Sequence, residues 1–279
     1  AAALFLDGLS AATEEADLNL LLIPGAGRRD PASVVGAVVD GFLIYTMATN
    51  DPLVTAALDR RLPTVVVDQP RRDDIPWVGI DEEHATGLAA AHLLSLGHRR
   101  FGVITFRLSP ETVSGFADQR QQNAGTYQLT RARLRGYAQT LAQAGIPWDS
   151  VPVYACAENS PAEGMAAAAA LLALDPRPTA LLATSDQLAI GALDAARQLG
   201  LIVPADVSVV GFDDSAPATH SIPPLTTIHQ PIAEKGLLAG RLLVARLRSE
   251  EAPPSQTLPT HLVVRASTAP PSPDDASRE

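Results

Sequence analysis

Three groups of polar residues in this sequence stand where chemistry could be done. Ser185 and Asp186 follow the apolar run Thr179 to Ala183, Asp213 and Asp214 follow Val207 to Phe212, and Arg131, Arg133 and Arg135 alternate along a segment with helical spacing. In open α/β sheets ligands bind beyond the carboxyl ends of the strands, so Ser185, Asp186 and Asp213 would point toward one crevice. Ser185, Asp186 and Asp214 are also residue types that cap helices, and capping is the simpler reading for Asp186. Asp213 differs, because Pro217 interrupts the next segment and no long helix waits there to be capped. On a helix Arg131 and Arg135 share a face, while Arg133 points the other way with Tyr137. A cation in a first helical turn opposes the macrodipole at a cost of some tenths of a kcal/mol, which a bound ligand or a neighbouring carboxylate would offset. Spacing leaves those two alternatives open.

Catalysis has little support. No Ser-His-Asp arrangement, nucleophile elbow, phosphate loop or His-Glu-x-x-His run is present, and nothing in the spacing makes Asp213-Asp214 and Glu82-Glu83 a glycosidase pair. We expect no enzyme, no cofactor and no metal. His92 and His98 fit no metal-ligand spacing and are read as structural.

The elements that must position these residues alternate between helix and strand. Thr179 to Ala183 and Val207 to Phe212 read as strands buried on both faces, joined by a helix carrying Leu188, Ala192, Leu193, Ala196 and Leu199 and stopped by Gly200. Upstream, Leu4 to Ala16 reads as a helix and Leu18 to Ile23 as a strand closed by Pro24-Gly25. A turn at Arg28 to Pro31 leads to a helix near Ala32 to Val39. Gly41 to Tyr45 and Thr64 to Val67 are strands around a helix, Pro52 to Arg61, with Asp51 as its cap. The second of these strands ends in Asp68-Gln69-Pro70, where Asp68 and Gln69 are placed to reach a ligand.

Trp77 to Phe106 packs strand, helix and strand into one unit, with Asp81 as cap, Glu82 and Glu83 in the first turn and Gly97 as stop. Arg107 to Tyr127 is irregular and long, as much a surface loop as a binding-site lid. A helix at Thr130 to Gly145, a strand at Val151 to Tyr154, a helix at Pro161 to Leu174, a helix at Ile232 to Leu247 and a strand at Leu258 to Val264 complete the pattern. The tail from Pro270 is expected to be disordered. The alternation specifies an α/β fold of parallel sheets with helices on both faces.

Composition narrows the partners. With 279 residues, 46% of them hydrophobic, the chain can form one large core or two lobes. Its net charge of −10 argues against gripping a phosphate backbone. Arginine outnumbers lysine by 20 to 1. The single Cys156 can form no internal disulfide, which fits a reducing cytoplasm. No apolar run approaches the ~18 residues of a membrane span. The start, AAALFLDGLSAA, lacks a cationic leader and carries Asp7, so export is not expected.

The residues ATSDQLAIGAL, VPADVSVVGFDD and PPLTTIHQP, with the earlier Asp81, Gly87, His92-Leu93 and Leu96 to Arg100, closely resemble the effector-binding core of lactose-repressor (LacI) type transcription regulators. That family shares its fold with periplasmic sugar-binding proteins. The resemblance implies two similar lobes of the periplasmic-binding-protein-like type I. One lobe would be 1–106 plus 230–250, its first strand missing, and the other 107–229 plus 251–269. A disordered tail, 270–279, follows. The crossings would fall near Phe106, His229 and Glu251, with the ligand between the lobes. It also implies a homodimer and operator DNA bound through a helix-turn-helix absent from this chain.

Residue by residue, the family's effector-binding arginine, three before the helix Gly136, matches Arg133. Its ligand contact five before Gly164 matches Asn159, the carboxylate after the Gly-aromatic pair matches Asp213, and Tyr127, six before Arg133, matches a contact of some relatives. Asn159 replaces an aromatic, which favours hydroxyl groups over a flat base. A guanidinium and a carboxylate facing one sugar or polyol would each contribute roughly 1.5 to 3 kcal/mol. The expected ligand set is therefore Arg133, Asp213, Asn159, Ser185, Asp186, Tyr127, Asp68 and Gln69. An exported solute-binding protein of a sugar transporter is the alternative.

Overall fold

The computed structural model describes residues 2–25, 30–248 and 254–272. The Arg28-Arg29 turn, the crossing near Glu251 and the tail beyond residue 272 lie outside them. The first elements are α1 (Ala2–Glu14), α2 (Ala32–Val35), β1 (Phe42–Tyr45), α3 (Pro52–Asp59), β2 (Thr64–Val67) and β3 (Trp77–Ile80). They are followed by α4 (Glu82–Ser95), β4 (Phe101–Thr105), β5 (Gly115–Phe116), α5 (Gln119–Ala124), α6 (Gln128–Gln143), β6 (Val153–Ala155) and α7 (Pro161–Leu172). Then come β7 (Ala180–Ala183), α8 (Asp186–Gln198), β8 (Ser208–Asp213), α9 (Ala216–His220), β9 (Thr226–His229), α10 (Ile232–Arg248), β10 (Gln256–Leu258) and β11 (His261–Val263).

The chain forms two compact units. The first comprises the described residues up to Asp81, Thr126–Leu129 and those of Pro231–Pro259; the second comprises Glu82–Gly125, Thr130–Gln230 and the described residues from Thr260. In the first unit β1, β2, β3 and β10 form a parallel sheet in that order. Thr64 to Val67 is buried along its whole length, as β-branched residues covered on both faces should be. Val34, Ile44, Leu53, Val54 and Val66 close one apolar cluster, and the Phe5 ring stacks on Tyr45 at 4.2 Å. Asp51 caps α3 by accepting from the Leu53 amide at 2.9 Å.

The second unit is built on a sheet of order β11-β9-β8-β7-β4-β6-β5, parallel except at its two edge strands. Leu181 and Leu182 on β7 are fully buried, each contributing about 1.5–3 kcal/mol by leaving water. Helices α7 and α8 approach through glycines. A Cβ at Gly164 would lie 2.3 Å from the Leu188 oxygen and one at Gly191 2.1 Å from the Pro161 oxygen, so an alanine at either position would force the helices apart.

Four expectations need correction. Residues 82–106 belong to the second unit, because β4 bonds β7 on one edge and β6 on the other and is therefore central to that sheet. The first crossing falls at Asp81/Glu82, not near Phe106. The final strand is two strands, β10 in the first unit and β11 in the second, separated by Pro259, which has no amide hydrogen to extend a ladder. Leu18 to Ile23 forms no strand, since it finds no ladder partner among the described residues, and Leu21 and Leu22 are exposed. Residues 107–127 are ordered by elements of their own. β5 pairs with β6, and Asp118 closes a capping box with Gln121 at the start of α5.

Candidate functional site

In the second unit β9, β8, β7, β4 and β6 run parallel as successive neighbours, so their carboxyl ends share one edge of the sheet. That edge carries Asp213 from β8, Thr184 and Ser185 after β7, Phe106 after β4 and Asn159 after β6. Arg133 reaches it from α6. The approach depends on Gly136, where a Cβ would lie 2.1 Å from Thr86 Oγ1 and 2.2 Å from the Glu83 oxygen, so α6 lies directly on α4. One turn earlier Arg133 Nε donates to Glu82 Oε2 at 2.7 Å and Nη1 to the Thr184 carbonyl at 2.5 Å. Its guanidinium lies 3.6 Å from the centre of the Phe212 ring, a stacked cation–π contact.

Of the two alternatives that spacing left open for Arg133, the ion pair is present. Both side chains are almost completely buried, at 3% and 4% exposure, so removing either would strand a charge in a low dielectric. The clamp fixes the guanidinium plane against the residue next to Asp213. It is therefore preorganised at the sheet edge rather than tethered loosely there.

Asp213 has φ of 118°, a conformation that costs a non-glycine residue about 1–3 kcal/mol. Its carboxylate accepts from the Gln230 carboxamide at 2.5 Å and is only partly buried. Asp214 turns the other way and is clasped by Arg265 Nη2 at 2.5 Å and His229 Nδ1 at 2.9 Å. Burial pushes the Asp214 carboxyl up, but the hydrogen bonds and charges of Arg265 and His229 outweigh it, and the net shift is below the ordinary carboxylate value.

Ser185 caps α8, accepting from the Leu188 amide and donating to Asn159 Oδ1 at 2.5 Å. The serine is 1% exposed and Asn159 is exposed, so Asn159 is the member of the pair that a solute can reach. Asp186 is buried and tied into the fold. It is 1% exposed, and its two oxygens accept from Thr227 Oγ1 and the Ser215 amide, both at 2.6 Å, tying α8 to β9 and to the loop after β8. Burial raises its pKa, and those hydrogen bonds offset part of the rise. Nor is it the helix cap, which is Ser185.

Asp68, Gln69 and Tyr127 lie in the first unit. The Asp68 carboxylate is buried and held by Lys235 Nζ at 2.7 Å, with Thr46 Oγ1 at 3.3 Å. Gln69 accepts from the Leu129 amide at 2.6 Å, while its buried Nε2 has no partner among the described residues. Tyr127 is 8% exposed.

Sequence reasoning missed Glu82 as the partner of Arg133, because 51 residues separate them and a first-turn glutamate already has a helix-dipole reason to exist. It missed Phe212 as a platform and the Asp214–Arg265–His229 clasp for the same lack of local signal. His98, read as structural, is buried and bonded to Thr179, Ser208 and the Ala269 carbonyl, and burial lowers its pKa. The Cys156 thiol is pushed up to about 12 by burial and by Glu163, which makes it unreactive. Among the described residues no trio of His, Cys, Asp or Glu is arranged for a metal, and no helix is long and apolar enough to cross a membrane.

Residues 90–268 match the family model of the periplasmic binding protein-like domain. The chain is 37% identical over 272 residues to an HTH-type transcriptional regulator of Mycobacterium tuberculosis, covering 96% of this chain and 75% of that protein. Among solved structures it is similar to a LacI-family transcriptional regulator from Corynebacterium glutamicum, with a TM-score of 0.85 and 33% identity, covering 96% of this chain and 79% of that one. It is also similar to the transcriptional regulator CelR in complex with cellobiose, with a TM-score of 0.81 and 30% identity over 95% of this chain and 78% of that one.

Proposed function

The chain belongs to the LacI family of transcriptional regulators, and we propose that it is the effector-sensing part of such a regulator, binding a small sugar or polyol at the carboxyl edge of the β7–β8 sheet. The observation that carries this reading is the pairing, at one sheet edge, of a guanidinium clamped in a fixed plane by Glu82, Thr184 and Phe212 with a part-exposed carboxylate on strained backbone at Asp213. Vicinal hydroxyls suit both groups, since they accept from the cation and donate to the anion. Asn159, held by Ser185 at the same edge, adds an amide that can do either. A CelR structure holding cellobiose is consistent with this ligand class.

Within this reading the protein is a cytoplasmic homodimer and no enzyme, and effector binding shifts operator affinity through a DNA-binding helix-turn-helix. A coupling of about 1–3 kcal/mol is enough for such a switch.

The test is a thermal-shift and calorimetric screen of monosaccharides, disaccharides and polyols on the wild-type chain and on Asp213→Asn and Arg133→Lys. A binding sugar should lose at least about tenfold in affinity in either variant, the loss expected for one charge-assisted hydrogen bond of roughly 1.5–3 kcal/mol. A sugar bound equally well by both variants would remove this site from the proposal.

A further inference from the structure

The three arginines at the start of α6 have different fates. Arg133 is compensated by Glu82, and Arg135 donates to Glu83, with Nη2 at 2.7 Å from Oε1. Arg131 has no such carboxylate among the described residues. Its Nε is buried and without a partner among the described residues, in a helix whose first turn holds no acid. A buried guanidinium nitrogen left unpaired is costly, and a cation there also opposes the helix dipole. Arg131 as a whole is only partly buried, which leaves its side chain open to a solute.

The surroundings say what. Arg131, Leu134, Arg135 and Ala138 form one face of α6 and line a cleft of about 170 Å³, well above the roughly 30 Å³ share of one liquid water. Its other wall is Gln119, Gln122 and Asn123 from α5, with Trp148. Gln122 is spoken for, since its amide donates to the Ala117 carbonyl and its oxygen accepts from the Trp148 indole, and it thereby fixes the ring in the wall. Gln119 and Asn123 are exposed, and their carboxamides stand one turn apart on the same face of α5. In a chain of net charge −10, none of the residues lining this cleft is a carboxylate.

We propose that the α5–α6 cleft is a second ligand site, separate from the sheet-edge site, and that it binds a small oxyanion, a phosphate or carboxylate group of a metabolite, on Arg131. The guanidinium fork supplies paired donors to two oxygens of the anion, as arginine does for phosphate and carboxylate generally. Gln119 and Asn123 offer further amide donors, and Trp148 a flat wall for the body of the molecule. α5, which supplies one wall of the cleft, lies in the segment 107–127 whose sequence shows no regular pattern.

Isothermal titration of the 279-residue chain with sodium phosphate and, separately, with citrate tests this, at ionic strength held constant with chloride. Saturable binding of either anion is expected at millimolar or tighter affinity, weakened about tenfold or more by Arg131→Gln and less by Arg131→Lys, which keeps charge but loses the fork. Phosphate binding alone assigns the site to phosphate groups, and citrate alone to carboxylates. Emission of Trp148 should change on saturation in a Trp77→Phe background, which places the anion in this cleft. Absence of binding by both anions at about 20 mM, or binding that Arg131→Gln leaves intact, overturns the proposal. Because the experiment uses no sugar and alters neither Arg133 nor Asp213, its outcome is independent of the effector reading.

Discussion

Two aspartates, Asp68 and Asp213, end buried β-strands in the two units, and both sit at positive φ, 62° and 118°. Asp68 is 7% exposed, and its carboxylate meets Lys235, the chain's one lysine. Asp213 is partly exposed and accepts from a neutral carboxamide. The same sequence feature, an acid at a strand tip, therefore does two jobs. One closes a buried ion pair that holds β2 to α10, and the other stays partly exposed at the sheet edge. What decides between them is the neighbour that the fold delivers, not the residue or its place on the strand.

The largest effect that bears on this contrast is expected from Asp68→Asn, which leaves the buried Lys235 ammonium without its carboxylate and should cost about 3–5 kcal/mol in urea denaturation. Replacing both members, Asp68→Asn with Lys235→Met, should recover most of that loss, because the desolvation penalty disappears with the charges. A small loss in the single variant would show that the ion pair is not what Asp68 is for.

Asp213→Asn should leave stability within about 1 kcal/mol while reducing sugar affinity by the tenfold or more given above. If it unfolds the chain as Asp68→Asn does, the contrast between the two strand tips is lost. Asp213→Gly should stabilise by up to about 1 kcal/mol, since glycine relieves the strained backbone, and abolish the carboxylate contact with the sugar, a trade of stability for function. No gain in melting temperature would mean that the conformation at 213 carries no strain.

The smallest effect concerns Asp214, whose carboxyl is held below its ordinary value of 3.8. A depressed folded-state pKa contributes stability that is fully present above the ordinary value and is lost as pH falls through the folded one. The stability gap between wild type and Asp214→Asn should therefore shrink on acidification below about pH 4. A gap that stays constant down to pH 2 would show that Arg265 and His229 do not bias this carboxyl.

Much of the fold was legible. The runs Thr64 to Val67 and Val207 to Phe212 announced buried strands by their largely apolar, β-branched character, and Asp51 and Gly200 marked helix ends by residue type. Leu18 to Ile23 carried a similar pattern but found no ladder partner among the described residues, and a strand exists only with one. Residues 107–127 failed in the opposite sense, since their order comes from a capping box and two ladder residues rather than from periodicity.

The sequence by itself determined that this is an alternating α/β chain with acids at strand tips and arginines on two faces of one helix, because propensity, capping and periodicity act over a few residues. Only the tertiary structure decided which cation met which anion: Arg133 with Glu82 across 51 positions, Lys235 with Asp68 across 167, and Arg131 with no carboxylate among the described residues. Charge pairing works through space at a few ångströms, and chain separation carries no record of that distance.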